Sequence, residues 1–402
     1  MIVEVTSKKT ENEFLDVPRK LYKNDPYWVC LPDNDLRRIF NPQKNRSFVD
    51  GEACRWILKD KDGKPVGRIA AFYNLKKAKA EKVLTGGAGF FECINNQASA
   101  NLLFDTAREW LERKGMKAMD APVNFGENDS NWGLLVDGFT HPGIGMPYHL
   151  PYYKDLFLKY GFQVFFKQYS FHLDLTKKFP ERFWKIAEWI GRKPDFHFEH
   201  FTWKNADKLI DDASYIYEKA WSSLKDDFTP LDKELLREIL NGAKAVLDGE
   251  MIWFAYYKDE PISFFIMFPD ANQILKKLNG KLHLWNMLRF IYYKKTGMIN
   301  RIRAIAAGVI PKFQNSGVES GIFWHMNEKM KFKPQYKEIE LSWVGDFNPK
   351  MISLYEAVGG VKAKTHITLR YMIDKTIPFE RFMPEKVDPE KLLEIGDKDL
   401  IA

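Results

Sequence analysis

Cysteine is scarce in this chain: three residues, Cys30, Cys54 and Cys93, all in the first quarter of 402. An odd count without paired spacing supports neither a disulfide framework nor a thiolate metal site, so reduced thiols are expected. Histidine numbers only eight. His197 and His200 fall on opposite faces of a strand-like run, and His141 and His149 have no cysteine or carboxylate at metal-ligand spacing, so no metal site is expected. No apolar run reaches the ~18 residues of a membrane span, and the first residues lack the basic start and apolar core of an export signal. A cytoplasmic chain follows as the expectation, with peripheral contact at the inner membrane surface beside it. Also missing are Gly-x-Ser-x-Gly, a P-loop ending in Gly-Lys-Ser/Thr, and a dinucleotide fingerprint after a strand, which leaves hydrolase, NTPase and dehydrogenase chemistry without residues. Neither sign of charge dominates: 61 Lys and Arg against 54 Asp and Glu leave a net +7, which suits anionic ligands, acidic proteins or phospholipid headgroups as well as nucleic acid.

What the chain has is apolar and aromatic mass. Hydrophobic residues make up 45% and aromatics 15% of it, with aromatics grouped in strand-like runs such as WFAYY (253–257) and FFIMF (264–268). Such a chain is packed and globular, and its length suggests two domains.

The order of elements occurs twice. In the first half a helix over 11–22 precedes the hairpin CRWILKDKDGKPVGRIAAFYN, a strand at GFFECIN (89–95), a helix over 98–114, a strand at KAMDAPV, a long loop (122–151), the short helix YYKDLFLKYGF and two strand-like runs, of which YSFHLDL is the clearer. In the second half FHFEHFTW (196–203) leads to a helix over 206–221, the hairpin MIWFAYYKDEPISFFIMF, a strand over 301–308, a turn, a helix over 318–330, the strand EIELSWV, the short helix NPKMISLYEAVGG and the strand HITLRYMI. Identity between the halves is weak, so the repeat is one of architecture.

The turn GVIPKFQNSGVES (308–320) joins a strand to a helix. The first N–H groups of that helix lack intrahelical partners and favour a bound anion; Gly317 permits close backbone approach, and Gln314 and Ser316 add side-chain donors or a cap. An ordinary helix start capped by Ser316 is the competing reading.

Gln314-x-x-Gly317 at a strand-to-helix junction, followed by a strand and by a helix that opens at Asn348 and carries Tyr355, resembles the GCN5-related N-acetyltransferase (GNAT) superfamily. The resemblance runs over residues 195–374. It implies an α+β fold of two tandem GNAT-like domains, each with a mixed, mostly antiparallel central sheet flanked by helices. The implied divisions are 1–175 (a copy without a cofactor loop), a connecting helix and linker (176–194), 195–374 (the copy with the acyl-CoA site) and a tail (375–402). It further implies acetyl-CoA or a longer acyl-CoA as donor. The amides of Gln314, Asn315, Ser316, Gly317 and Val318 would hold the pyrophosphate, the strand ending at Val309 would pair with the pantetheine, Asn348 would contact the cofactor from the other side, and Tyr355 would protonate the leaving thiolate. A core role for Tyr355 beside Leu354 and Val358 is the alternative. Glu319 departs from the superfamily pattern, which has glycine or alanine there, and a carboxylate beside a pyrophosphate repels it.

The long loop offers Asn124, Glu127 and Asp129 as polar candidates; Glu127 is placed to accept a proton from an amine, Asn124 and Asp129 to bind substrate, and a solvated loop is the alternative for each. Residues 274–303 set an aromatic, apolar middle between basic ends, which suits a bilayer surface, an acyl chain or an acidic acyl carrier protein as partner; a helix packed into the interdomain core is the competing reading. Nucleic acid is not expected, because the aromatics form one block. A GNAT pair with such an insert is similar to the bacterial ceramide synthases, which acylate a long-chain amine from a fatty acyl thioester. An N-acyltransferase acting on a primary amine, a long-chain lipid amine among the candidates, is one function expected; a catalytically inactive GNAT-fold module that binds a membrane surface or a protein is the other.

Overall fold

The computed structural model describes residues 1–126, 130–221, 230–244, 246–314 and 316–383. The first half contains β1 (Ile2–Glu4), α1 (Lys8–Leu21), α2 (Asp33–Ile39), β2 (Gly51–Lys59), β3 (Pro65–Asn74), α3 (Leu75–Ala80), β4 (Thr85–Cys93), α4 (Gln97–Arg113), β5 (Ala118–Ala121), β6 (Leu134–Asp137), α5 (Tyr153–Tyr160) and β7 (Gln163–Asp174). After α6 (Glu181–Gly191) the second half runs through β8 (Phe196–His200), α7 (Ala206–Trp221), α8 (Lys233–Ala243), β9 (Ile252–Tyr257), β10 (Glu260–Pro269), α9 (Asn272–Leu275), α10 (Leu284–Lys295), β11 (Arg301–Val309), α11 (Val318–Met330), β12 (Glu338–Glu340), β13 (Val344–Gly345), α12 (Pro349–Ala357) and β14 (Val361–Met372).

Local chemistry sets many of these boundaries. Ser7 and Thr10 form a reciprocal capping box that starts α1. Gly161, in the left-handed region at φ 111°, ends α5 and turns the chain into β7. The two strand-like runs read before and through YSFHLDL are one strand of 12 residues. The loop over 122–151 is interrupted by β6, which pairs with β14.

The 14 strands among the described residues lie in one sheet, in the order β1-β2-β3-β4-β5-β14-β7-β12-β11-β10-β9-β8, with β6 on β14 and β13 on β7. The order reads the same from both ends once each strand is matched to its counterpart in the other half, β1 with β8 through β5 with β12 and β7 with β14. At the centre the halves trade their last strands. β14 pairs with first-half β5, and β7 pairs with second-half β12. The traded strands pair with each other along residues 163–172 and 361–370.

The cores follow this exchange. Ile367 and Leu369 of β14 belong to the first-half core with Phe91, Leu103, Phe104 and Phe157, while Phe171 and Leu173 of β7 belong to the second-half core with Ile302, Ile322 and Tyr355. Arg370 fastens the exchange: Nε and Nη2 donate to the two Asp120 carboxylate oxygens at 2.6 and 2.8 Å, and the guanidinium lies 3.6 Å from the Phe165 ring centre.

Leu369→Ala should therefore destabilise the first half. Loss of a fully buried leucine costs about 2–5 kcal/mol, and hydrogen exchange should speed up in β2 to β4 as well as in β14. Faster exchange confined to residues 361–372 would contradict a shared core.

Candidate functional site

In each half two neighbouring parallel strands meet briefly and then separate. β11 pairs with β12 only at Arg301–Arg303 against Glu338–Glu340. Ile310 N–H still bonds back to Ile262 C=O across β10, so by strand alternation Ala307 and Val309 turn their N–H and C=O away from β10, into the gap. There Val309 C=O accepts from Gln314 Nε2 at 3.4 Å and Ile305 C=O accepts from Ser342 Oγ at 3.3 Å. Ala307 has no partner on that side among the described residues.

The first half has the same gap after β4 pairs with β5 at Thr85–Gly87, but its own side chains fill it. Cys93 N–H donates to Tyr153 Oη at 3.1 Å, and Cys93 C=O accepts from Tyr152 Oη at 2.7 Å. Val123 N–H takes Ala88 C=O at 3.0 Å. Two phenols and a loop amide thus satisfy the strand edge that stays open in the second half.

The turn after β11 enters α11 through Gly317, in the left-handed region at φ 77°. A Cβ on Gly317 would sit 2.8 Å from Ile190 Cδ1, so the group this glycine admits is the end of α6. Ser316 Oγ accepts from Val318 N–H at 3.3 Å, and the Val318 side chain is fully buried. Gln314 is exposed, and Asn315 lies outside the described residues. Glu319 is half-buried; burial pushes its carboxyl above the ordinary range, partly offset by a hydrogen bond to its own backbone N–H. That carboxylate consequently lies at the N-terminus of α11, where an anion is favoured.

Asn348 caps α12, its Oδ1 accepting from Met351 N–H at 3.2 Å. Tyr355, on the same helix, is 4% exposed and packs edge-on against Phe171 at 5.4 Å between ring centres. Burial pushes its hydroxyl up, against a smaller opposing effect of Arg303, so the phenol keeps its proton at neutral pH. Asn124 lies between Val123, which bonds to β4, and Phe125, which packs against Phe48 and Phe72 of the first half. Glu127 and Asp129 lie outside the described residues.

A buried ionic cluster that sequence reading missed ties the long loop to the second half. Arg301 Nε donates to Asp270 Oδ2 at 2.7 Å, Nη1 to His141 C=O at 3.1 Å, and Nη2 contacts His141 Nδ1 at 2.6 Å. Burial first, then Arg301, lowers the His141 pKa to about 4, which keeps the ring neutral. The signal was present in the strand runs RIR and EIE, where charge alternates with isoleucine in segments flanked by apolar strands.

The insert divides in two. Ile274, Leu275 and Leu278 pack with Val29 of the first half, whereas α10 turns its apolar side outward. Leu284, Trp285, Leu288, Ile291 and Tyr292 form one stripe and are 45–75% exposed; among the apolar residues of this helix only Phe290 is buried. Phe290 and Tyr293 of this helix join the cluster with Val29, so the interdomain-core reading fits that side of it and not the outward stripe. No helix among the described residues is long and apolar enough to cross a membrane, and no three His, Cys, Asp or Glu side chains among them are grouped to hold a metal.

No family model matches the sequence. A tandem GNAT protein from the clavulanic acid biosynthesis pathway superposes with TM-score 0.56 at 10% identity, covering 94% of this chain and 99% of that one. This is the tandem GNAT fold. A GCN5-related glucosamine N-acetyltransferase region of a fungal multidomain GH3 beta-N-acetylglucosaminidase also gives TM-score 0.56, at 12% identity over 92% of this chain and 38% of that one. In sequence, the chain is similar to the bacterial ceramide synthase of Caulobacter vibrioides, 26% identical over 370 residues, 91% of this chain and 95% of that protein. It is also similar to protein YghO of Escherichia coli, 22% identical over 370 residues, 90% and 92% of the two chains.

Within this GNAT pair Glu319 has a testable cost. A carboxyl with a raised folded-state pKa supports stability below its ordinary value of 4.5 and loses that support as pH rises through the raised value. Glu319→Gln should raise Tm at pH 7, and the gain should vanish towards pH 4. An equal gain at both pH values would show that ionisation is not the cause.

Proposed function

We propose that the chain is an N-acyltransferase moving an acyl group from acyl-CoA, or from an acyl carrier protein, to a primary amine, with a long-chain lipid amine as acceptor. The observation that carries this reading is the contrast between the two gaps. The first-half strand edge is closed by Tyr152 and Tyr153, while the second-half edge stays open at Ala307, with only the exposed Gln314 side chain on the Val309 carbonyl, beside a helix N-terminus. An extended amide-bearing arm such as pantetheine pairs with an open edge as an added strand does. On this reading residues 1–175 form the supporting copy, 176–194 the connection and 195–374 the active copy.

The amides around Ser316, Gly317 and Val318 would face the pyrophosphate, with Asn348 on the far side of the gap. Tyr355 would give its proton to the departing thiolate; a phenol is protonated at neutral pH, and burial, by raising its pKa, makes this one a weaker acid than a free tyrosine. Similarity to a bacterial ceramide synthase over nearly both full lengths supports a lipid amine as acceptor, and so does the outward apolar stripe of α10. The competing module without catalysis draws its support from Glu319, an acidic residue in the first turn of α11, beside the turn where the pyrophosphate would bind.

Palmitoyl-CoA should raise Tm more than acetyl-CoA does, measured against a control protein for detergent effects. Tyr355→Phe should lower turnover while leaving that Tm shift intact; equal losses in both would remove the acid role, and no shift with either thioester would favour the inactive module.

The protein should also co-sediment with vesicles containing anionic phosphatidylglycerol. Trp285→Glu combined with Leu288→Glu should cut that binding more than about tenfold, the scale of two apolar side chains left unburied. Undiminished binding would remove α10 from the contact.

A further inference from the structure

The helix that connects the two copies, α6, has an outer face left uncovered by the described residues. Its inner face packs through Phe183, Ala187 and Ile190. A Cβ on Gly317 would fall 2.8 Å from Ile190 Cδ1, and one on Gly321 would fall 3.1 Å from Ile190 Cγ2, so two glycines one turn apart let α6 lie against the start of α11. Phe183 meets Phe323 on the same side, with 6.2 Å between ring centres. The opposite side carries Arg182, Lys185, Ile186, Trp189 and Lys193 at helical spacing. Ile186 is 47% and Trp189 61% exposed.

Positive charge gathers around these two apolar side chains. Residues 177–193 hold six Lys and Arg against two Glu, a net +4 out of +7 for the whole chain. Much of that charge is free. Lys177 lies 3.6 Å from Asp174 and Arg192 lies 2.6 Å from Glu188, whereas Lys178, Arg182 and Lys185 are exposed and have no ion pair among the described residues. Lys193 Nζ lies 3.8 Å from the Trp189 ring centre, which adds a cation to the indole face.

Size and chemistry together select the partner. The outward face of this 11-residue helix is ~16 Å long and ~10 Å wide, far less than the ~800 Å² that a stable protein interface covers on each partner. A lipid surface needs no matched area. An indole seats at headgroup depth, and each Lys or Arg beside an anionic leaflet adds its own attraction. The α10 stripe is different in kind, because there five apolar residues face outward together.

We infer that the outer face of α6 is a second membrane contact, separate from the α10 stripe, which binds anionic phospholipid headgroups through Arg182 and Lys185 with Ile186 and Trp189 seated among them. Since Ile190 of the same helix lies against Gly317, this contact holds the start of α11 about one helix diameter, ~10 Å, from the lipid surface. A long-chain acyl-CoA anchored in the bilayer by its chain then meets that turn at the surface. This consequence rests on the N-acyltransferase reading above; the headgroup contact does not.

The full-length protein is co-sedimented with phosphatidylcholine vesicles that contain or lack phosphatidylglycerol, at low ionic strength and at about 1 M salt, where the Debye length falls to ~3 Å. Arg182→Glu combined with Lys185→Glu should weaken binding to the anionic vesicles roughly 30-fold or more at low salt, the scale of two cations lost from a charged leaflet. It should change little at high salt or without phosphatidylglycerol, and Tm should hold because neither residue has an ion pair to lose. Trp189→Ser should weaken binding at both salt concentrations, since salt does not screen burial of an indole. Binding by the charge-reversed protein equal to that of the wild type at low salt, or a loss of the same size at both salt concentrations, would overturn the inference. Capture of soluble polyglutamate that the reversal removes, with vesicle binding unchanged, would overturn it too and assign the face to an acidic protein. With anionic vesicles present, KM for palmitoyl-CoA should rise in the charge-reversed protein while KM for acetyl-CoA stays constant. Vesicle binding lost on reversal, with no turnover by the wild type, would sustain this surface and refute the catalytic reading; turnover with vesicle binding untouched by the reversal would do the opposite.

Discussion

The hydrogen-bonded ladder between β7 and β14 is the contact on which the rest of the molecule depends. Each of these strands belongs to one half by sequence and completes the core of the other half by packing. Two GNAT-like copies that might have been separate bodies therefore share one sheet, and each core keeps its last layer only while the other half is folded. The same ladder buries a polar face at the seam that carries Gln168, Ser170 and His366. Residues that would be solvent-facing at the edge of an isolated copy become central, and the loop after β5 closes over them.

Within that frame the halves differ in how they satisfy one geometric demand. When parallel strands part, their inward-facing N–H and C=O groups need partners. The first half supplies them itself through Tyr152, Tyr153 and Val123. In the second half Ser342 and Gln314 cover two carbonyls, and Ala307 keeps no partner on that side among the described residues. The two halves thus meet the same demand with different groups and no change of fold.

Much of the architecture was legible in the chain. Hydrophobic periodicity, the Asp-Gly hairpin turn and Tyr160-Gly161 located helices and strands, and the repeated order of elements showed two copies. The candidate site residues Gln314, Gly317, Asn348 and Tyr355 could be singled out because they sit at local junctions where a turn, a cap or a short helix is encoded within a few residues. Gly317 was read as a point of close approach for a ligand, whereas the neighbour that its missing Cβ admits is Ile190 of α6, which periodicity does not reveal. The alternation of charge with isoleucine in RIR and EIE was equally visible, yet it reads as an ordinary half-exposed strand until a loop is known to cover it.

By itself, then, the sequence determined where helices and strands form, that they recur, and which turn carries the superfamily-like glycine, since all of these depend on interactions between residues close in the chain. Only the tertiary structure decided which half keeps an open strand edge, which core each terminal strand joins, and that Arg303 and Glu340 are buried together. Those outcomes are set by pairings between residues far apart in the chain, such as Leu369 with Ala121 across β14 and β5 or Lys364 with Glu340 across the seam, and the burial that gives such charges their meaning exists only once both halves have closed around them.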